Sequence, residues 1–297
     1  AEGAARSAMV GMMIGTVVNI ILDPIMILSM GMGVVGAAVA TVIGNICSVV
    51  YYIYYLTKKT TVLSIALKKF KMTGDIIFNI LVIGIPVFVN NMLFSVANLI
   101  FNNFASDFGE IVVSSIGIPH RINSLPVMVM IGLSQGIQPF IGYNYAAKNY
   151  KRMNGAIKLS TACSVIFGTV TTLVFFFAAE PLVGMFIKNS EIIEMGSMFF
   201  KIFIIPIPIL GIQFIFMNTF QAIGKAIPAL VLSICRQGLA FIPALIIGKR
   251  FFGLDGVIWA QPVADLITIA ISIVLYITVY GMIKREVSIK EELLAAS

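Results

Sequence analysis

Eight stretches of this chain are predominantly apolar for long enough to cross a lipid bilayer, and that removes most folds from consideration. They lie near residues 8–29, 34–56, 76–103, 111–143, 155–178, 194–222, 227–248 and 256–283. A hydrocarbon core about 30 Å thick is crossed by about 20 helical residues. Inside it every backbone N–H and C=O must find a partner within the protein, which leaves only helices or closed barrels. Barrel strands alternate in polarity over about ten residues. The runs here are longer and continuous, so the expected fold class is an all-α polytopic membrane protein. Composition agrees, because 59% of residues are hydrophobic and 11% charged, against about 25% charged in a soluble domain.

A net charge of +7 would suggest nucleic acid in a soluble protein, but here the charges sit in short loops. Thirteen Lys and Arg fall on one side of the helix alternation, among them Arg6, Lys58, Lys69, Lys148, Arg152, Lys225, Lys284 and Arg285. Lys188, Lys249 and Arg250 are the three on the other side. Positive charge stays inside, so the first side reads as cytoplasmic, both chain ends included, and no nucleic-acid partner is expected. Cys47, Cys163 and Cys235 lie singly in apolar runs and read as small buried hydrophobes rather than disulfide or metal ligands.

The longest polar break, 57–75, is Lys-rich and amphipathic (Leu63, Ile65, Leu67, Phe70), as an interfacial linker between two membrane domains would be. A repeat supports that division. Residues 33–45 lie against 253–265 with Gly33/Gly253, Gly36/Gly256 and Ala40/Ala260 identical and Asn45 facing Asp265. Upstream, Asp23-Pro24 faces Ile242-Pro243. If the copies are equal, roughly 150 residues precede Ala1 and the whole has about twelve helices, as in parallel-repeat transporters. Prolines 24, 86, 126, 139, 206, 208, 243 and 262 are expected to kink or unwind their helices.

The stretches NIILDPIMILSMGMGVVGAAVAT (19–41), SQGIQPFIGYNYAAKNYKRM (134–153), SICRQGLAFIP (233–243) and FFGLDGVIWAQPVAD (251–265) resemble the multidrug and toxic compound extrusion (MATE) family, in its MepA-like branch. The resemblance runs the length of the chain, from the family's fifth helix to its twelfth. It implies two six-helix lobes around a central cavity and a secondary antiporter, monomeric, in the bacterial cell membrane. Such a protein expels organic cations or drugs against inward H⁺ or Na⁺ by alternating access. On this reading residues 1–56 are the remainder of the N-lobe, 57–75 a cytoplasmic linker, 76–283 the C-lobe and 284–297 a cytoplasmic tail. No cofactor is implied beyond the coupling ion.

Ionisable groups within membrane helices are costly, so each is a candidate for function. Asp23 lies deep in the first helix beside Pro24, with Asn19 one turn earlier on the same face. A carboxylate with a neighbouring amide suits Na⁺ binding through oxygen, or proton uptake where burial disfavours its charge. The alternative is that Asp23 only ties down a kinked helix. The resemblance adds an N-lobe cation site built from an Asn and an Asp of this helix and a Thr of the next, matched by Asn19, Asp23 and Thr41.

Asp265 stands near the start of the last helix, where Arg236 and Gln237 of the preceding helix could pair with it, either as function or as structural charge pairing. Asn90, Asn91 and Gln138 could face a cavity or link helices by hydrogen bonds, and His120-Arg121 could line one. Some family members carry acidic residues within the helices equivalent to 76–103 and 194–222. Here those helices hold Asn90, Asn91, Asn98, Gln213 and Asn218 with no carboxylate in mid-helix, so the expected coupling site moves to the first lobe. Abundant Phe and Met suit a cavity for varied flat cations, and also simple bundle packing.

Three other readings compete. A lipid-linked saccharide flippase of the same superfamily would show several mid-helix Arg, and only Arg121 and Arg236 qualify. An enzyme would need a cluster that one His cannot assemble. An inactive truncated fragment is the third, since two helices of a first half could not enclose an ion site.

Overall fold

The computed structural model describes residues 5–58 and 73–295; most of the proposed linker lies outside the described residues. The chain divides into two compact units, Ala1–Gly74 and Asp75–Ser297. Among the described residues every regular element is helical.

The first unit is a helical hairpin. Helix α1 (Ala5–Pro24) runs into a π-helical turn, Ile25–Ser29, and α2 (Gly33–Lys58) returns alongside it. Pro24 has no N–H to donate to the preceding turn, and the chain widens after it, with the Met30 N–H reaching back to the Ile25 carbonyl at 2.9 Å. Small residues let the two helices approach closely. A Cβ on Gly44 would sit 2.6 Å from the Gly15 carbonyl oxygen, and Ser48 and Tyr52 donate across the seam to the Gly11 and Ala8 carbonyls at 2.9 and 2.8 Å.

The second unit contains α3 (Gly74–Ser106), α4 (Glu110–Ala146), α5 (Tyr150–Phe177), the short α6 (Ala179–Gly184), α7 (Ser190–Phe203), α8 (Ile207–Ala222), α9 (Ala226–Ile234), a π-helical segment Cys235–Phe241, and α10 (Ile242–Ala295). Asn149 and Asn189 cap α5 and α7 by accepting backbone N–H groups of the first turn. Where one helix was expected over 194–222, α7 and α8 are separate and bent by 48°. Pro208 cannot donate to the Ile204 carbonyl, which instead accepts from Ile207 N–H at 3.1 Å and Thr172 Oγ1 at 3.3 Å. The sequence reading had no counterpart of α6, and α10 runs on to Ala295.

Among the described residues, six helices are long and apolar enough to cross a bilayer, or seven with the bent α7–α8 pair as one crossing. The stretch Ile227–Gly281 has 55 residues, about 80 Å as straight helix, which is far more than one crossing. It is broken at Gly253, where φ 61 and ψ −129 leave the helical region and suit only glycine. Gly248 and Gly256 then meet backbone to backbone. The chain therefore turns at Gly253, so that this stretch is two helices rather than one. The protein is a multi-pass membrane protein.

The repeated glycines share more than identity. Gly33 and Gly253 both have positive φ, 54 and 61, and Gly36 and Gly256 both press against a carbonyl of the preceding segment. Ala40 and Ala260 are both buried.

Large apolar side chains lie exposed around both units, including Val34 at 88% and Phe177 at 82%, as lipid-facing surface requires. Inside the second unit, one apolar cluster joins Phe101, Val112, Phe203, Phe241 and Ile258. A second joins Ile141, Met153, Phe216 and Phe220, and a third Met130, Phe200, Ile207 and Leu210. Lys249 pairs with Asp107 at one end of the bundle. At the other, Asn154 Nδ2 donates to Tyr280 Oη at 2.6 Å.

Candidate functional site

In the first unit the close approach of Gly15 and Gly44 brings the polar residues of the two helices together. A Cβ on Gly44 would also lie 3.3 Å from the Asn19 Cβ, so the glycine seam sets Asn19 opposite the start of α2. The Asn19 Nδ2 donates to Asp23 Oδ1 and to Thr41 Oγ1, each at 3.3 Å. Thr41 Oγ1 donates in turn to the Ala37 carbonyl at 2.9 Å. Asn19 and Asp23 are half-buried and Thr41 is exposed. Asn19, Asp23 and Thr41 thus form one connected group beside the π turn, held together by the Asn19 amide nitrogen.

The second unit holds a separate polar cavity. Arg236 Nε donates to Asp265 Oδ1 at 2.9 Å, and Gln261 Nε2 donates to the same oxygen at 3.1 Å. Asp265 is 3% exposed. The Arg236 guanidinium also lies over the Phe214 ring, 5.1 Å from its centroid, a cation–π contact that adds to the pairing. Around this ion pair is a cavity of about 120 Å³, walled by His120, Asn123, Gln237 and Phe241 among others. It lies where the first and third apolar clusters meet. Backbone irregularity frames it: the α7–α8 break contributes Phe203 and Pro206, and the π segment contributes Arg236, Gln237 and Phe241. Broken or bulged helices inside a membrane occur where they line such spaces.

Of the polar residues named from sequence, Arg236, Gln237 and Asp265 converge here. Asn90, Asn91 and Gln138 do not line the cavity. Asn90 and Gln138 are half-buried, and Asn91 is exposed. The α3 amide that does line it is Asn98, one of several mid-helix Asn in the sequence. Asn123 and Gln261 were not named as cavity residues. Their spacing from His120 and Asp265 by three and four positions puts each on the same helix face as a candidate already singled out, and that signal could have found them. Gln213 is buried and Asn218 donates to Ser134 Oγ and the Phe214 carbonyl, both at 3.0 Å.

Helices that cross a membrane and break where they line a polar cavity define the class: a multi-pass α-helical membrane protein. Residues 86–246, more than half of the chain, match the MatE family, and the chain belongs to it. It is similar to the multidrug export protein MepA of Staphylococcus aureus (strain MSSA476), 34% identical over 278 residues that make up 93% of this chain and 61% of that protein. The MepA of Staphylococcus saprophyticus is 31% identical over 276 residues, again 93% and 61%. The chain thus spans about three-fifths of the length of these relatives. Among solved structures, MATE in the bent conformation superposes with a TM-score of 0.86 at 23% identity, over 96% of this chain and 64% of that one. The Vibrio cholerae MATE transporter VcmN in the bent form gives 0.76 at 22%, over 91% and 61%. These two likenesses show the fold.

Proposed function

We propose that the protein is a secondary multidrug efflux antiporter of the bacterial cell membrane, exporting organic cations or drugs against inward H⁺ or Na⁺ by alternating access. The observation that carries this reading is the connected group Asn19–Asp23–Thr41, a carboxylate with two oxygen-bearing neighbours inside a membrane hairpin. An intramembrane carboxylate costs about 3 kcal/mol on an insertion scale, a cost that a role in coupling accounts for. The printed names of the Staphylococcus relatives, multidrug export proteins, support the substrate class.

On this reading the coupling ion neutralises Asp23. A proton would add to a carboxylate oxygen. A Na⁺ would take Asp23 and Thr41 oxygens, with the Asn19 amide turned to present its own oxygen. Either removes a charge from the hairpin and loosens the Asn19 bond to Asp23, which biases one arrangement of the helices over the other. Residues 1–56 belong to the first lobe and 76–283 form the second. The flippase alternative asks for a strongly cationic cavity, whereas Arg236 is neutralised by Asp265.

The test is efflux of ethidium from cells expressing the complete protein that contains these residues. Asp23→Asn abolishes efflux at unchanged membrane expression. Wild-type resistance in that mutant would remove Asp23 from the mechanism.

A further inference from the structure

Helix α5 carries two lysines on a face where no side chain neutralises them. Lys151 and Lys158 are exposed, and neither makes an ion pair or hydrogen bond with any described residue. Residues 111–179 contain no Asp or Glu, so neither α5 nor the turn before it offers an acid. The same face continues through Leu159, Ile166 and Val170, all exposed, as lipid-facing surface does. From Lys158 to Phe177, where α5 ends, the helix rises about 28 Å, close to the thickness of the hydrocarbon core. Lys158 therefore stands at the hydrocarbon boundary, with Lys151 about 10 Å beyond it among the headgroups. A lysine reaches water from that depth by stretching its stem, so charge alone marks no site.

A second helix adds a donor. Asn154 lies between the two lysines, three positions after one and four before the other, which puts all three on one face of α5. Its Nδ2 donates to Tyr280 Oη of α10 at 2.6 Å. Tyr280 accepts in that bond, and its own proton has no acceptor among the described residues. The bond thus sets a free hydroxyl donor of α10 beside the ammonium groups of α5. The surface between the lysines is also open. A Cβ added at Gly155 would meet nothing within 4 Å, and the same holds at Gly281, next to Tyr280. Met153, Ile157 and Val279 pack beneath.

Two cations and a hydroxyl donor around an open surface call for an anion with several acceptor oxygens. At the hydrocarbon boundary the anion already held at the right depth is the phosphate of a phospholipid, and basic seats between helix ends take acidic lipid heads. A zwitterionic head would bring a further ammonium group to a place that has two, so a head of net negative charge is favoured. We propose that the seam between the ends of α5 and α10 is a binding site for one anionic phospholipid. Its phosphate lies between the Lys151 and Lys158 ammonium groups and accepts from the Tyr280 hydroxyl, while an acyl chain follows Leu159 and Ile166. This binding goes beyond the efflux reading and does not depend on it.

Native mass spectrometry of the complete protein that contains these residues, titrated with dioleoyl phosphatidylglycerol or dioleoyl phosphatidylcholine, tests the site. Wild type binds its first phosphatidylglycerol about tenfold more tightly than phosphatidylcholine, as two lysines beside one phosphate imply. Lys151→Gln/Lys158→Gln loses that preference. Arg6→Gln/Lys225→Gln removes two exposed cations elsewhere and keeps it. Gly155→Leu retains every charge but fills the open surface, and it weakens phosphatidylglycerol binding about threefold. Both lysines are unpaired and Gly155 has free space around it, so these variants fold. Equal affinities for the two lipids in wild type, or equal losses in the two double variants, would mean diffuse attraction and overturn the site. Unchanged binding in Gly155→Leu overturns it as well, and so does displacement of the lipid by inorganic phosphate at constant ionic strength. Loss of ethidium efflux with this binding intact bears on the transporter reading and not on the lipid.

Discussion

Asp265 is held against Arg236 in a nearly sealed position, and its two possible mutations should behave very differently. Removing one partner of a buried ion pair strands the other charge and costs about 3–5 kcal/mol, whereas replacing both by neutral groups of similar shape is close to neutral. Asp265→Ala is therefore expected to lower the thermal stability of the detergent-solubilised protein sharply. Arg236→Gln/Asp265→Asn should stay within about 1 kcal/mol of wild type; equal losses in the two would mean the pair is not the unit described. At this scale the sequence showed which ionisable groups lie inside the membrane, because a charge in an apolar run is conspicuous. It showed less well which amides face the cavity. Asn90, Asn91, Asn98 and Asn123 look alike as letters, and only the packing of α3 and α4 around the cluster of Phe101 and Phe241 separates lining positions from the rest.

Helices in this protein touch through glycine and break at proline, and both facts were partly legible. The prolines were visible. That Pro208 frees the Ile204 carbonyl and splits 194–222 into α7 and α8 depends on Thr172 of α5 standing where it can donate, a tertiary fact with no local signal. The π segment 235–241 ends two residues before Pro243, one of the prolines expected to unwind its helix, but its start at Cys235 has no local signal. Two substitutions test the glycine contacts. In Gly44→Leu the side chain would collide with the Gly15 carbonyl, so α1 and α2 should separate and the bond from Asn19 to Thr41 should be lost. Overpacking of this kind costs about 1–3 kcal/mol, and disulfide cross-linking of cysteines placed across the hairpin should slow. Gly253→Ala forces a side chain into a conformation that costs about 1–3 kcal/mol. It is expected to lower the melting temperature, while the same change at Gly281, which has open space around an added Cβ, should have little effect.

For the molecule as a whole, the apolar runs dictated an all-helical membrane protein, and the repeated Gly33 and Gly253 located the two sharp turns that share positive φ. The loop charges lead to a further expectation. Cysteines placed near Asp107 and Lys249, which pair at one end of the bundle, should both react with an impermeant thiol reagent added outside intact cells. A cysteine near Asn154 or Tyr280, joined at the other end, should react only after the membrane is opened; the reverse pattern would invert the orientation. The central claim is that an ion arriving at Asp23 drives export. Its most direct measurement is ethidium flux in proteoliposomes of the complete protein that contains these residues, with a pH or Na⁺ gradient imposed. The account predicts that flux follows one of the two gradients in wild type, falls in Thr41→Ala, and no longer responds to either gradient in Asp23→Asn. Gradient-driven flux of wild-type size in Asp23→Asn would contradict it.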